Sequence, residues 1–110
     1  IIRLSQATGG KKETVMGLSG IGDIILTCVS KSSRNYKFGF MLGSGKKLKN
    51  IIEKKNYVTE GMENIRVVYY LKQKYNIKMP ILEAIYSVLV KGYSFDKVID
   101  DLLSRPLSNE

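Results

Sequence analysis

The chain has 110 residues, a formal net charge of +8, one cysteine and no histidine. This length suits one domain, 1–110, and the cysteine and histidine counts exclude an internal disulfide and a zinc site. No apolar run approaches the ~20 residues of a membrane-spanning helix and no secretory signal opens the chain, so we expect a soluble, cytoplasmic protein without a membrane partner.

Helical periodicity dominates the sequence, and no stretch alternates as a strand would. The chain opens on apolar residues from Ile1 without a capping residue, so we expect a piece of a longer protein that begins inside a helix. Helices are predicted, in chain order, over 23–28, 34–42, 47–55, 60 to about 75, from Pro80 to Gly92, and from Ser94 to Pro106. Ser94 is placed to cap the last of them. The predicted fold class is all-α, with about six helices.

Positive charge is concentrated in residues 31–57, which carry +7, whereas residues 58–110 sum to zero. The cations of this segment are Lys31, Arg34, Lys37, Lys46, Lys47, Lys49, Lys54 and Lys55. Such a segment can attract a small phosphate, a nucleic acid or an acidic protein surface. For most of these lysines, a solvated face is the ordinary alternative.

The glycine-rich segment "GLSGIGD" does not fit a dinucleotide-binding fingerprint, because Ile25 occupies the third glycine position and no strand precedes the segment. We interpret Gly17, Gly20 and Gly22 as residues that allow a tight, close-packed turn leading to Asp23 at a helix start. There the Asp23 carboxylate can either cap the helix or contact a ligand.

A second candidate site is the run Ser33, Arg34 and Asn35 at the predicted start of the next helix. A helix start exposes free N–H groups and partial positive charge, which suit a phosphate group. Ser33 can donate a hydroxyl, Arg34 offers a bidentate fork for phosphate oxygens, and Asn35 both donates and accepts. Serine and asparagine are also common helix-start residues, so simple capping remains the alternative.

Three strings together carry a family resemblance: "GLSGIGDIILTC", "SRNYKFGFMLGSG" and "VTEGMENIRVVYYLKQKYNIKMPILEAIYSVL". In order and spacing they resemble the C-terminal part of bacterial NAD(P)-dependent glycerol-3-phosphate dehydrogenase, over residues 15–103. That family interconverts sn-glycerol 3-phosphate and dihydroxyacetone phosphate by hydride transfer with NAD or NADP, for glycerophospholipid synthesis. It joins an N-terminal Rossmann domain to an all-α substrate domain of the 6-phosphogluconate-dehydrogenase C-terminal-like type.

The resemblance implies roles for particular residues. Asp23, Ser33, Arg34 and Asn35 become substrate contacts, and Arg34 also reaches the dinucleotide. Val58 and Glu60, in "VTEG", become cofactor contacts, with Thr59 replacing the usual second valine between them.

The resemblance also implies what this chain lacks. The Rossmann domain, which binds most of the cofactor, and the general acid/base lysine lie upstream, so no residue here is catalytic and the isolated chain is predicted to be inactive. Lys49, in "LKN", follows rather than precedes "SRN" and is not given that lysine's role.

We expect a homodimer acting on a small molecule, without a nucleic-acid partner. The alternative functions are a small basic helical nucleic-acid-binding module, for which no stacking platform or known motif is found, and a purely structural dimerisation domain.

Overall fold

A computed structural model describes residues 1–53 and 60–106 of the chain. These residues form eight α-helices and one π-helical turn and contain no strand, which confirms the all-α class. The elements are α1 (Ile2–Ala7), α2 (Lys12–Met16), the π-helical turn (Leu18–Gly22), α3 (Asp23–Val29), α4 (Arg34–Gly43), α5 (Leu48–Glu53), α6 (Glu60–Lys74), α7 (Pro80–Leu89) and α8 (Phe95–Leu103).

The six predicted helices correspond to α3–α8 in their order along the chain. Helix α1 agrees with the expected helical opening of the chain, and α2 is the helix that was not predicted. Five residues of α2 are too few to show an apolar stripe, which is why its sequence gave no signal. The predicted side-chain cap at Ser94 is wrong: Ser94 holds the N-cap position of α8, but its hydroxyl makes no capping hydrogen bond.

Several helices end in a Schellman motif, in which the residue after the helix has a left-handed backbone conformation and the next N–H donates back to a carbonyl of the last turn. At the end of α6, Asn76 has a positive φ of 49°, and the N–H of Ile77 donates to the carbonyl of Lys72 at 3.0 Å. Gly9 and Gly45, with φ of 90° and 80°, occupy the same position after α1 and α4, where the N–H groups of Gly10 and Lys46 donate to the carbonyls of Ser5 and Met41. Gly92, with φ of 72°, follows α7 with a different pattern, in which the Tyr93 N–H donates to the Ser87 carbonyl at 3.0 Å. These turns allow each helix to reverse into the next within a few residues.

The core lies where α4–α8 meet. Helices α6, α7 and α8 pack in sequence, and α4 contacts both α5 and α8. The buried apolar side chains are Phe38, Ile51, Ile65, Ile77, Leu82, Val88 and Val98. Ile51 is the most deeply buried of these, at 1% exposure.

The N-terminal elements are tied to this core from two directions. Helices α1, α2, the π-helical turn and α3 contact one another in chain order, and α3 leads into α4. In addition, the Arg3 guanidinium donates a hydrogen bond to the Lys78 carbonyl at 2.9 Å, just before α7. Among the described residues, no helix combines the length and apolar character needed to cross a bilayer.

Candidate functional site

Asp23 lies where the π-helical turn becomes α3. Gly22 occupies the N-cap position and Asp23 is the first residue of the helix. The Asp23 side chain is exposed and makes no capping hydrogen bond, so the capping interpretation of Asp23 is wrong. Within residues 1–53 and 60–106 its carboxylate has no hydrogen-bond or ion-pair partner. It is therefore open to a ligand.

The turn that leads to Asp23 is close-packed, as predicted, but only one of its glycines is required sterically. A Cβ at Gly20 would overlap the carbonyl oxygen of Val15, on α2. At Gly17 and Gly22 a Cβ would lie 3.5 Å and 3.9 Å from its nearest neighbours, which is ordinary van der Waals contact. The turn itself begins at the Gly17 carbonyl, which accepts hydrogen bonds from the N–H groups of Gly20 and Ile21 at 3.0 Å and 2.9 Å.

The second candidate cluster is assembled at the start of α4. Ser33 is the N-cap residue, and its hydroxyl oxygen accepts a hydrogen bond from the Tyr36 N–H at 3.3 Å. Arg34 and Asn35 are the first two residues of the helix, and both side chains are exposed. The first N–H groups of a helix have no intrahelical partner, so one helix start carries a hydroxyl, a guanidinium, a carboxamide and backbone donors.

The Arg34 guanidinium has no counter-charge in the part of the chain that the structure describes. No carboxylate lies within ion-pair distance of it among the described residues. The neighbouring cations Lys31 and Lys37 are exposed, which adds positive potential around the start of α4. An anion approaching this helix start therefore meets an unpaired guanidinium and the positive end of the helix dipole.

The structure groups Ser33, Arg34 and Asn35 at one helix start, and within the described residues no hydrogen bond or ion pair joins Asp23 to them. Asp23 is the first of the seven residues of α3, a helix about 10 Å long, and Arg34 lies beyond the turn that follows this helix. A short turn joins the two helices, in which the hydroxyls of Ser30 and Ser32 hydrogen-bond at 2.6 Å. The two parts of the candidate site thus lie at opposite ends of α3.

The remaining predicted contacts are only partly described. Val58 lies outside the described residues. Glu60 begins α6, as predicted, but its side chain lies outside the described part of the structure. Lys46, Lys47 and Lys49 are exposed, in agreement with a solvated lysine-rich face. Within the described residues, no group of three or more Cys, Asp or Glu side chains is placed to hold a metal ion.

A cavity of about 320 Å³ lies between α6, α7 and α8 and was not predicted from the sequence. Its centre is the ion pair of Lys72 and Glu83, whose Nζ and Oε1 atoms are 2.9 Å apart, with Arg105 at 4.0 Å on the other carboxylate oxygen. The hydrogen bond and negative charge of Glu83 raise the pKa of Lys72 above its ordinary value of 10.5. Against this pair, Tyr69 and Tyr86 stack with ring centroids 3.8 Å apart. These residues come from separate helices, and no sequence spacing predicts their meeting.

Comparison with known proteins agrees with this geometry. Residues 1–100 match the family model for the NAD-dependent glycerol-3-phosphate dehydrogenase C-terminus. The glycerol-3-phosphate dehydrogenases [NAD(P)+] of Bacillus velezensis and Bacillus subtilis are 41% and 40% identical over 110 residues, which is 100% of this chain and 32% of each relative. The crystal structure of glycerol-3-phosphate dehydrogenase from Coxiella burnetii superposes with a TM-score of 0.84 and 36% identity, over 94% of this chain and 32% of that one.

Fold and sequence together define an all-helical C-terminal domain of a nicotinamide-dependent dehydrogenase. The chain spans about a third of the length of the curated relatives it matches. It belongs to the family of NAD-dependent glycerol-3-phosphate dehydrogenase C-terminal domains. The resemblance stated from sequence is thereby confirmed, and the nucleic-acid-binding alternative is left without support.

Proposed function

We propose that this domain binds and orients sn-glycerol 3-phosphate or dihydroxyacetone phosphate in a dehydrogenase that interconverts the two for glycerophospholipid synthesis. The observation that carries the proposal is the start of α4, where Ser33, Arg34 and Asn35 lie together and the guanidinium has no carboxylate partner among the described residues. A phosphate group fits these donors, because a helix start and a planar guanidinium both favour phosphate oxygens.

The other end of the ligand would be held by Asp23. Its exposed carboxylate can accept hydrogen bonds from the hydroxyl groups of a polyol. In this proposal the long side chain of Arg34 and the three-carbon ligand together span the separation between the start of α4 and Asp23. With both ends held, the C2 carbon is presented in one orientation, and such positioning accounts for a large part of many rate enhancements.

The cofactor, NAD or NADP, would be bound mainly by an N-terminal Rossmann domain and would supply or accept the hydride. The described residues fit a contribution from this domain, since an exposed, unpaired Arg34 suits an anionic group. Val58 and Glu60 are proposed as further cofactor contacts. The proton at the carbinol oxygen is assigned to a lysine of the upstream domain, so this chain contributes no catalytic residue.

The test is to replace Arg34 by Ala in the full-length dehydrogenase that contains this domain. We expect KM for glycerol 3-phosphate to rise about 10- to 100-fold, the effect of losing a charge-assisted hydrogen bond, and kcat to fall. Arg34→Lys keeps the charge but loses the bidentate fork, so it should recover only part of the loss. Lys37→Ala removes another exposed cation of the same helix but no donor at the helix start, so as the control it should raise KM far less than Arg34→Ala. Unchanged KM and kcat in Arg34→Ala would reject the proposal.

We further propose that the intact protein is a cytoplasmic homodimer and that this domain alone is inactive. Exposed apolar side chains on the π-helical turn and α3 support a larger assembly: Leu18, Leu26 and Val29 are 93%, 67% and 67% exposed. Such a surface is typically covered by another domain or subunit. Sedimentation of the full-length protein tests the dimer. Measurable turnover by the purified 110-residue chain would overturn the predicted inactivity.

The absence of a nucleic-acid partner is likewise a proposal. It is tested by fluorescence titration of the full-length protein with duplex DNA at two salt concentrations. Binding through phosphate contacts would be tight at low salt and fall steeply as salt rises. We expect no such binding, because the sequence contains no known nucleic-acid-binding motif.

A further inference from the structure

We propose that Gly20 is a positioning residue, which sets the direction from which the Asp23 carboxylate enters the substrate site. The inference rests on the function proposed above, because it takes Asp23 as a substrate contact. It adds that the placement of this contact depends on a residue that touches neither substrate nor cofactor.

The first step of the argument is the approach of two backbone segments. A Cβ at Gly20 would overlap the Val15 carbonyl oxygen and would lie 2.7 Å and 2.9 Å from the Val15 carbonyl carbon and Cα. All three are backbone atoms of α2, so no side-chain rotation can relieve the overlap. Any residue other than glycine must push the π-helical turn away from α2.

The second step links this approach to Asp23. The Asp23 N–H donates a hydrogen bond to the Gly20 carbonyl, so the residue at the close approach also holds the first residue of α3. The π-helical turn continues into α3 without a break, since Gly22 already has helical φ and ψ of −61° and −45°. A displacement at Gly20 is therefore passed to the carboxylate as a rotation or translation of the start of α3.

The third step is that the neighbouring glycines do not share this constraint. Gly22, directly before Asp23, has helical geometry, and a Cβ there would meet only Leu18 Cδ2 at 3.9 Å. Gly22→Ala therefore changes the same residue type in the same turn without disturbing the packing. It is the matched control for Gly20→Ala.

The experiment compares both variants in the full-length dehydrogenase. We expect Gly20→Ala to raise KM for glycerol 3-phosphate about 10- to 100-fold while KM for the dinucleotide is unchanged. Gly22→Ala should keep both KM values at the wild-type level. Equal KM values for glycerol 3-phosphate in Gly20→Ala and wild type would overturn the proposal.

A double-mutant cycle with Asp23→Asn separates positioning from general loosening of the fold. If Gly20 acts through Asp23, adding Gly20→Ala to Asp23→Asn should raise KM little further, because the contact is already lost. Fully additive effects would overturn the proposal. If Asp23→Asn alone leaves KM unchanged, Asp23 is not a substrate contact and the proposal falls with it, whereas the Arg34→Ala test of the proposed function stands independently.

If Gly20→Ala fails to fold, Asp23→Glu tests whether the placement of the carboxylate matters while the π-helical turn stays unchanged. This change keeps the charge on an exposed side chain but moves the carboxylate by one methylene. A site that depends on placement should lose affinity as in Asp23→Asn. A wild-type KM in Asp23→Glu would show that the site tolerates displacement and would overturn the role of Gly20.

Discussion

The hydroxyl oxygen of Ser33 accepts a hydrogen bond from the Tyr36 backbone N–H at 3.3 Å, so the side chain that caps α4 is also the one proposed to contact the substrate. Two substitutions separate these functions. Ser33→Ala removes both and should lower the free energy of unfolding by about 1 kcal/mol as well as raise KM for glycerol 3-phosphate. Ser33→Asp keeps a cap acceptor but adds negative charge, so it should keep stability while KM rises further. Denaturant melts and steady-state kinetics measure the two effects, and a wild-type KM in Ser33→Asp would contradict the phosphate assignment.

The core should depend most on Ile51, which is 1% exposed. We expect Ile51→Ala to lower the free energy of unfolding by about 2–5 kcal/mol, through lost apolar burial and the cavity it leaves. The adjacent Ile52, 36% exposed on the same helix, is the control, and Ile52→Ala should cost under about 1 kcal/mol. Equal losses in chemical denaturation would show that α5 does not pack as described.

The ion pair between Lys72 and Glu83 predicts a pH-dependent contribution to stability. Because Glu83 raises the pKa of Lys72, the stabilisation is complete below the unfolded pKa, about 10.4, and is lost as pH rises through the folded value. The melting temperature of Lys72→Gln should therefore lie below that of wild type at about pH 8, and the gap should narrow above about pH 10.5.

The control for this experiment is the pair Lys49 and Glu53, whose charged atoms are 4.0 Å apart on largely exposed side chains. Lys49→Gln should leave the melting temperature nearly unchanged at every pH, as is usual for surface pairs. If the melting-temperature difference between Lys72→Gln and wild type stayed constant from neutral to strongly alkaline pH, the role of the ion pair would be contradicted.

Replacing a glycine by alanine should have opposite effects on stability at a left-handed position and inside a helix. Gly92 has φ of 72°, so Gly92→Ala should destabilise the fold by about 1–2 kcal/mol. Gly39, inside α4 with open space around its Cα, is the control, and Gly39→Ala should stabilise by about 0.5–1 kcal/mol. Thermal melts of the two variants should shift in opposite directions, and a shift in the same direction would contradict the turn geometry after α7.

Local sequence patterns predicted those parts of the fold that local physics determines. The apolar spacing of Phe95, Val98 and Leu102 indicated α8, and Ser33 was correctly placed at a helix start because its hydroxyl can cap the next turn. At Ser94 and Asp23 the same reasoning predicted or allowed caps that the structure does not form. A residue type that favours capping indicates where a helix begins. Whether its side chain forms the capping hydrogen bond depends on the local backbone conformation.

What could not be predicted involves residues that are distant in sequence or whose contacts depend on the backbone path. The requirement for glycine at position 20 comes from the α2 backbone at Val15, and α2 itself left no periodic signal. The meeting of Lys72 with Glu83 depends on the crossing of α6 and α7. For the candidate site, residue types alone suggested a phosphate site at Arg34, and only the family resemblance gave it a substrate.

The hydrogen bond from Arg3 to Lys78 joins the first turn of the chain to a residue 75 positions later. During vectorial synthesis on the ribosome this bond cannot form until residue 78 has been translated and has left the exit tunnel. Helix α1 therefore leaves the tunnel well before this partner, and α2–α6, which lie between Arg3 and Lys78 in the chain, leave it in the interval.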